Sequence, residues 1–220
     1  MNISNSNYMR EFYNSVAKTY DEHTRLSIND LAEFHSETAD IVSKFHPLKL
    51  LDLGCGTGLE LSFLFDKMPN LEVVGIDISE EMLKQLKSKY PDKNIKLINS
   101  SYFDIEYGKE EFDCIMSVMS LHHFDSEKKL NLYKKIYNAL TKNGRYVETD
   151  FIVATGTEEQ QYAIQAQKNN QKELIGYGYY DIPLCIEHQE KLLKQAGFTR
   201  IMVNPKVFCH NKIRTIVGNK

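Results

Sequence analysis

Short apolar runs alternate along the chain with stretches whose apolar residues recur every three or four positions. Leu48–Leu53 is such a run and ends in a glycine cluster, the pattern of a strand buried on both faces. Thr57 to Lys67 carries Leu61, Leu64 and Phe65 on one helical stripe and stops before Pro69. Leu71–Ile76 reads as a second strand. Ser79 then opens a helix as its N-cap, with acids in the first turn and Met82, Leu83, Leu86 and Tyr90 on the stripe. Asn94–Ile98 and Phe112–Val118 read as strands three and four. Asp125 caps a helix bearing Leu130, Tyr133, Ile136, Tyr137 and Leu140, with Asn143-Gly144 as its expected stop. Arg145–Phe151 is a fifth strand.

Strands alternating with helices imply parallel pairing through right-handed crossovers, hence an α/β, doubly wound sheet. Residues 8–45 read as two helices ahead of the first strand, a helical cap over residues 1–45. Residues 155–183 are polar and tyrosine-bearing, with Gly176 and Gly178 as breakers, and read as an insertion after the fifth strand. A helix over Ile186–Ala196 and two strands, near Arg200–Val203 and Val207–Val217, close the chain. No linker or repeat divides it, so a single domain over 1–220 is expected.

Composition narrows the class without naming an activity. The 220 residues are 42% hydrophobic and 26% charged, which excludes disorder, collagen and coiled coil. No apolar run approaches the ~20 residues of a membrane helix, and Met1–Arg10 lacks the apolar core of a signal peptide. A net charge of −3 argues against a broad grip on nucleic acid. Five of the 27 basic residues are Arg, which leaves 22 Lys and few groups for bidentate phosphate or carboxylate capture. Cysteines 55, 114, 185 and 209 form no C-x-x-C pair and read as buried free thiols of a cytoplasmic protein.

The chemistry concentrates after the first strand, in Asp52-Leu53-Gly54-Cys55-Gly56-Thr57-Gly58. Ligands of open α/β sheets bind outside the carboxyl ends of the strands, at the switch point. Glycines there let a ligand lie against main-chain N–H groups. Asp77 stands 19 residues after Gly58, where a carboxylate accepts hydrogen bonds from both ribose hydroxyls. The glycine spacing is G-x-G-x-G rather than the dinucleotide G-x-G-x-x-G, and Asp52 precedes it. A carboxylate there repels a pyrophosphate and attracts an ammonium group. The implied ligand is a nucleoside with a positively charged amino-acid tail.

Leu50–Gly58, with Val73-Val-Gly-Ile-Asp77 and Phe112–Val118, resembles the class I S-adenosylmethionine-dependent methyltransferases. The resemblance follows element order over about residues 15–215. It implies a Rossmann-like seven-stranded sheet, mostly parallel with an antiparallel last strand. It implies S-adenosyl-L-methionine as cofactor and S-adenosyl-L-homocysteine as product. Asp52, Gly54, Cys55 and Gly56 would hold the methionine part, Asp77 the ribose, and Ile78 and Met82 the adenine. The acid that the family often places after the third strand is replaced here by Asn99-Ser100-Ser101-Tyr102, where Ser101 or a backbone carbonyl would substitute. Ser117 and Val118 would line the methionine side. Ala17-Lys-Thr-Tyr20-Asp21 resembles the family's A-x-x-Y-D segment, and Tyr20 either reaches the cofactor or is an ordinary helix tyrosine.

Methyl transfer needs in-line positioning and exclusion of water, with a base where the acceptor loses a proton. Leu121-His122-His123-Phe124 lies just past the fourth strand, near the expected methyl position. His122 is the candidate base, His123 a substrate contact, and the alternative for either is a capping or cofactor-contacting role. A metal on His122, His123 and Asp125 is discounted, because no further ligand lies nearby in sequence. Tyr8, Phe12 and Tyr13, with Tyr177, Tyr179 and Tyr180 of the insertion, would roof the acceptor as a substrate lid, or else simply pack. The expected activity is direct methyl transfer to a small molecule by a monomer or homodimer, with no nucleic-acid or membrane partner. The alternatives are an RNA methyltransferase or carboxymethyl-transferring relative, with Lys128, Lys129, Lys134 and Lys135 as a local basic face, and a non-catalytic cofactor-binding protein.

Overall fold

Three buried strands form the middle of the sheet because their residues are apolar on both faces. These are β1 (Lys49–Leu53), β2 (Glu72–Asp77) and β4 (Phe112–Val118). The computed structural model describes residues 3–171 and 181–220. The other strands are β3 (Ile95–Asn99), β5 (Leu140–Phe151), β6 (Thr199–Phe208) and β7 (Ile213–Asn219). The sheet has seven strands in the order β3-β2-β1-β4-β5-β7-β6. β1 to β5 pair in parallel, and β7 slots between β5 and β6, antiparallel to both. The order reverses between β1 and β4, which opens a crevice at their carboxyl ends.

Helices cover both faces. On one side α3 (Leu31–Ser43), α4 (Leu61–Lys67) and α5 (Glu80–Lys89) bury Phe34, Val42, Leu61, Leu64 and Leu86 against β1 and β2. On the other, α6 (Ser126–Ala139) and α8 (Ile186–Ala196) bury Leu132, Tyr133, Ile136 and Leu193. The expected caps form: Ser79 accepts from the Met82 N–H at 3.1 Å and Asp125 from that of Lys128 at 2.9 Å. No helix among the described residues is long and apolar enough to cross a membrane.

Three local expectations fail for identifiable reasons. The N-terminal region forms three helices, α1 (Ile3–Val16), α2 (Tyr20–Ser27) and α3, the last break turning at Asp30 with φ 58°. α6 ends at Ala139, and Asn143-Gly144 lies inside β5, where a bulge opposite Phe112 and Cys114 absorbs it. The strand expected over 207–217 is cut by a turn at Cys209, His210 and Asn211, with φ 50°, 56° and 69°, and Cys209 is only half-buried there. Part of the insertion forms the polar helix α7 (Gly156–Gln171), whose weak stripe gave no periodic signal. The four lysines also separate: Lys129 is fully buried, and Lys135 donates to the carbonyls of Phe103 and Ile105 at 2.9 and 2.6 Å.

Candidate active site

The loop after β1 is built to turn and to expose its amides. Gly54 and Gly56 take φ of 77° and 47°, a region other residues enter at a cost. A Cβ on Gly54 would collide with the Ser120 hydroxyl. The N–H groups of Gly54 and Cys55 donate to the Ile76 carbonyl at 2.8 and 3.1 Å, which ties the loop to the end of β2. Asp77 completes that tie, accepting from Gly56 N–H at 2.9 Å and Ser79 N–H at 2.8 Å. Burial raises its pKa, and the amides of Ser79, Gly56 and Ile78 only partly offset that.

Asp52 lies beneath the loop, with Glu60 beside it. Desolvation comes first in raising the pKa of both carboxyls, and Glu60's charge adds to the rise at Asp52. α2 leans on this region: Asp21 accepts from Thr57 Oγ1 at 2.5 Å and from Lys89 Nζ at 2.6 Å. Tyr20, next to Asp21, reaches the wall of the crevice, and burial pushes its phenol up to about 12.

These elements wall a cavity of about 770 Å³. Gly54, Cys55, Gly56, Asp77, Ile78 and Met82 line one half, together with Ser101 and Tyr102. The Ser101 hydroxyl is already engaged, accepting from Phe103 N–H at 3.2 Å. Val118 reaches the wall, whereas Ser117 is fully buried behind it and its hydroxyl meets no partner. Asp52 likewise sits behind the wall. Sequence reasoning missed Thr57, Glu60, Phe103 and Asp104, all of which line the cavity. Asp104 supplies an acid five residues past β3, just beyond the position searched.

The other half is apolar and aromatic, with Tyr8, Met9, Tyr13, Ile28, Leu31 and Phe124 on the wall. Phe12 is not part of it and packs edge-on against Tyr13, ring centres 5.3 Å apart. Tyr177, Tyr179 and Tyr180 lie outside the described residues. The two histidines are placed differently. His123 lines the cavity, while His122 is buried behind it and donates from Nδ1 to Asp150 Oδ1 at 2.5 Å. Burial would lower the His122 pKa, but the charge and hydrogen bond of Asp150 raise it. Burial and the neighbouring His122 lower His123 to about 4, so its ring is neutral at physiological pH.

Asp181 approaches both rings, 3.6 Å from His122 Nε2 and 3.4 Å from His123 Nδ1. Among the described residues these three side chains have the spacing of metal ligands, within 4.8 Å of one another. Asp181, far away in sequence, is the third donor that sequence reading did not find. Both nitrogens of His122 face carboxylates, Asp150 and Asp181, which favours its protonated form.

Residues 50–144 match the family described as a methyltransferase domain. The chain is 28% identical to the carboxy-S-adenosyl-L-methionine synthase of Nautilia profundicola, over 96% of this chain and 94% of that one. It is also 28% identical to the demethylmenaquinone methyltransferase of Lactococcus lactis, over 65% of this chain and 58% of the other. A solved structure from Nostoc punctiforme superposes with a TM-score of 0.71 at 22% identity, covering 94% of this chain and 60% of that one. These matches support a class I S-adenosylmethionine-dependent methyltransferase. The chain is an enzyme, and S-adenosyl-L-methionine is its cofactor.

The methyltransferase site fits that cofactor on its own chemistry. Asp77 uses its oxygens on two amides and keeps acceptor lone pairs for a ribose diol. Asp52 Oδ2 and Glu60 Oε1 are buried acceptors that receive no hydrogen bond from the protein, as a bound ammonium group would require. Beyond Gly56, a Cβ would meet nothing nearer than the Gly54 carbonyl at 4.0 Å, which leaves that side of the loop free for a ligand.

Proposed function

We propose that this methyltransferase acts on a small, largely apolar or aromatic molecule with a neutral O–H or N–H acceptor. The observation that carries the reading is the acceptor half of the cavity: aromatic and aliphatic walls around one neutral histidine. A cavity of about 770 Å³ has room for a cofactor and one small molecule. Lys128 is the one basic residue among its described lining residues, too little charge for a nucleic-acid backbone.

The bound cofactor supplies an electrophilic methyl group on its sulfonium. Asp77 orients the ribose, the glycine-loop amides and the Asp52–Glu60 pair hold the amino-acid tail, and Phe103 and Met82 flank the adenine. Asp104 or Ser101 faces the adenine edge. His123, neutral, would accept a hydrogen bond from the acceptor's X–H, orient the acceptor atom, and take up the proton lost on methylation before passing it to solvent. His122, clamped by Asp150, orients His123 from behind. Tyr8 and Tyr13 exclude water, and Ala166 and Ile182, from the described parts of the insertion, complete the wall.

A second reading, carboxyl chemistry on the cofactor itself, draws support from the name of the Nautilia profundicola relative. A carboxylate on the cofactor calls for a cation opposite it, and among the described residues lining the cavity Lys128 is the one such group, with no arginine for a bidentate contact. One experiment separates the readings. The protein is incubated with methyl-labelled S-adenosylmethionine and a fractionated metabolite extract, and products are analysed by mass spectrometry. Label in a small molecule together with S-adenosylhomocysteine is expected. Label confined to RNA, or a carboxylated cofactor, overturns the proposal.

A further inference from the structure

Asp150 holds His122 by Nδ1, so the ring presents its other nitrogen, Nε2, to Asp181 Oδ1 at 3.6 Å. His123 Nδ1 stands 3.4 Å from the same oxygen. The segment carrying Asp181 is pinned beside the two rings, because Ile182 N–H donates to the His122 carbonyl at 2.8 Å. Both separations exceed the ~2.7–3.2 Å of a usual N–H···O bond. Zinc holds imidazole nitrogen and carboxylate oxygen at about 2.1 Å, which sets two ligand atoms of a tetrahedron about 3.4 Å apart, against about 3.0 Å for neighbours in an octahedron. The distances at Asp181 are those of the tetrahedron.

The surroundings suit a dication as well. A carboxylate behind a metal-bound imidazole fixes which nitrogen faces the ion, and Asp150 stands in that place for His122. Asp150 and Asp181 together offer two negative charges, and two neutral imidazoles add none, so a dication brings the group to zero. Lys129 and Glu148, both buried, act on the cluster with opposite signs. Two imidazoles and one carboxylate favour zinc over magnesium.

We propose that His122 Nε2, His123 Nδ1 and Asp181 Oδ1 form a three-ligand site for a zinc-type divalent cation, beside the half of the cavity that His123 and Ile182 line. The ion takes the place of the proton on His122 Nε2, which leaves to solvent, and moves the proton of His123 from Nδ1 to Nε2. His123 then donates where it accepted, so the metal-loaded form is silent in methyl transfer. That consequence rests on the role proposed for His123, whereas the metal site stands apart from it.

Zinc titrated into the full chain at neutral pH, in competition with a chromophoric chelator, tests the site. One zinc per chain is expected, with Asp181→Ala and His123→Ala each weakening it about 10-fold or more. Cobalt in place of zinc should give the intense visible absorption of four-coordination. Unchanged S-adenosylhomocysteine affinity in both variants shows that the cofactor site is folded. Absent binding, binding that survives both substitutions, or the weak absorption of six-coordinate cobalt overturns the site. Zinc added to the labelling reaction should lower product label in step with occupancy, and Asp181→Ala should resist it. Undiminished label in zinc-loaded protein overturns the silencing alone.

Discussion

Asp150→Asn removes the charge that clamps His122 while leaving the side chain's shape. Asp150 is fully buried at the end of β5. One carboxylate oxygen accepts from Leu121 N–H at 2.7 Å, and the other from Phe151 N–H at 2.7 Å and His122 Nδ1 at 2.5 Å. Burial alone would raise its pKa, but the charge and hydrogen bond of His122 hold it at about 2. Against an unfolded value of ~3.9, that corresponds to about 2–3 kcal/mol at ~1.4 kcal/mol per unit. The lowered carboxyl contributes stability above pH ~4 and loses it as pH falls towards about 2. The raised His122 contributes below pH ~6.5 and loses its share as pH rises through its folded value. Both edges report the same contact, so its energy is counted once. Urea unfolding from pH ~3 to ~9 should show a wild-type plateau between ~4 and ~6.5. The variant should be about 2–4 kcal/mol less stable on that plateau, with both edges flattened, as for a broken buried pair. A loss below ~0.5 kcal/mol, or an unchanged pH profile, would refute the clamp.

Asp77→Ala should weaken S-adenosylmethionine by about 1–3 kcal/mol through lost ribose hydrogen bonds, and unchanged calorimetric affinity would remove it from the site. His123→Ala should lower kcat/KM about 10- to 100-fold at unchanged cofactor affinity. Because His123 stays neutral down to about 4, wild-type turnover should show no His123-linked inflection near pH ~6.5; one that disappears in the variant would contradict its neutral role. Gly54→Ala should cost about 2 kcal/mol or more, combining left-handed strain with the collision against Ser120. Adding Ser120→Gly should recover the collision and not the strain, and full recovery in thermal unfolding would show that φ is not limiting.

The cofactor half was legible because its parts are local in sequence. Gly54 and Gly56 take positive φ within one turn, and Asp77 ends a strand whose apolar run marks it. Parallel pairing then places Asp52 opposite Gly75 and brings both strand ends to one loop. Elements whose boundaries depend on partners were harder to read. Asn143-Gly144 looks like a helix stop in isolation, and only the bulge against Phe112 and Cys114 makes room for it in a strand. The helix α7 bears no clear apolar stripe, so periodicity could not announce it.

The aromatic half shows why neighbouring residues of one motif can receive different surroundings. The two histidine rings lie against each other, centres 3.7 Å apart, and which one lines the cavity depends on what stands behind the strand. β4 and β5 run parallel with Val118 opposite Thr149, so Asp150 arrives beside the first residues past β4. A buried carboxylate captures the nearer imidazole, His122, and the next ring is left to the cavity. The residue that selects between the two histidines is therefore Asp150, 28 positions away from His122. The same logic applies to Glu60. Its position in the sequence suggests the first turn of an ordinary helix, and its chemistry appears only when β1 delivers Asp52 beneath it. In both halves the glycine loop and the strand ends set the place of the cavity, and a carboxylate from a neighbouring strand sets the surroundings of the side chains beside it.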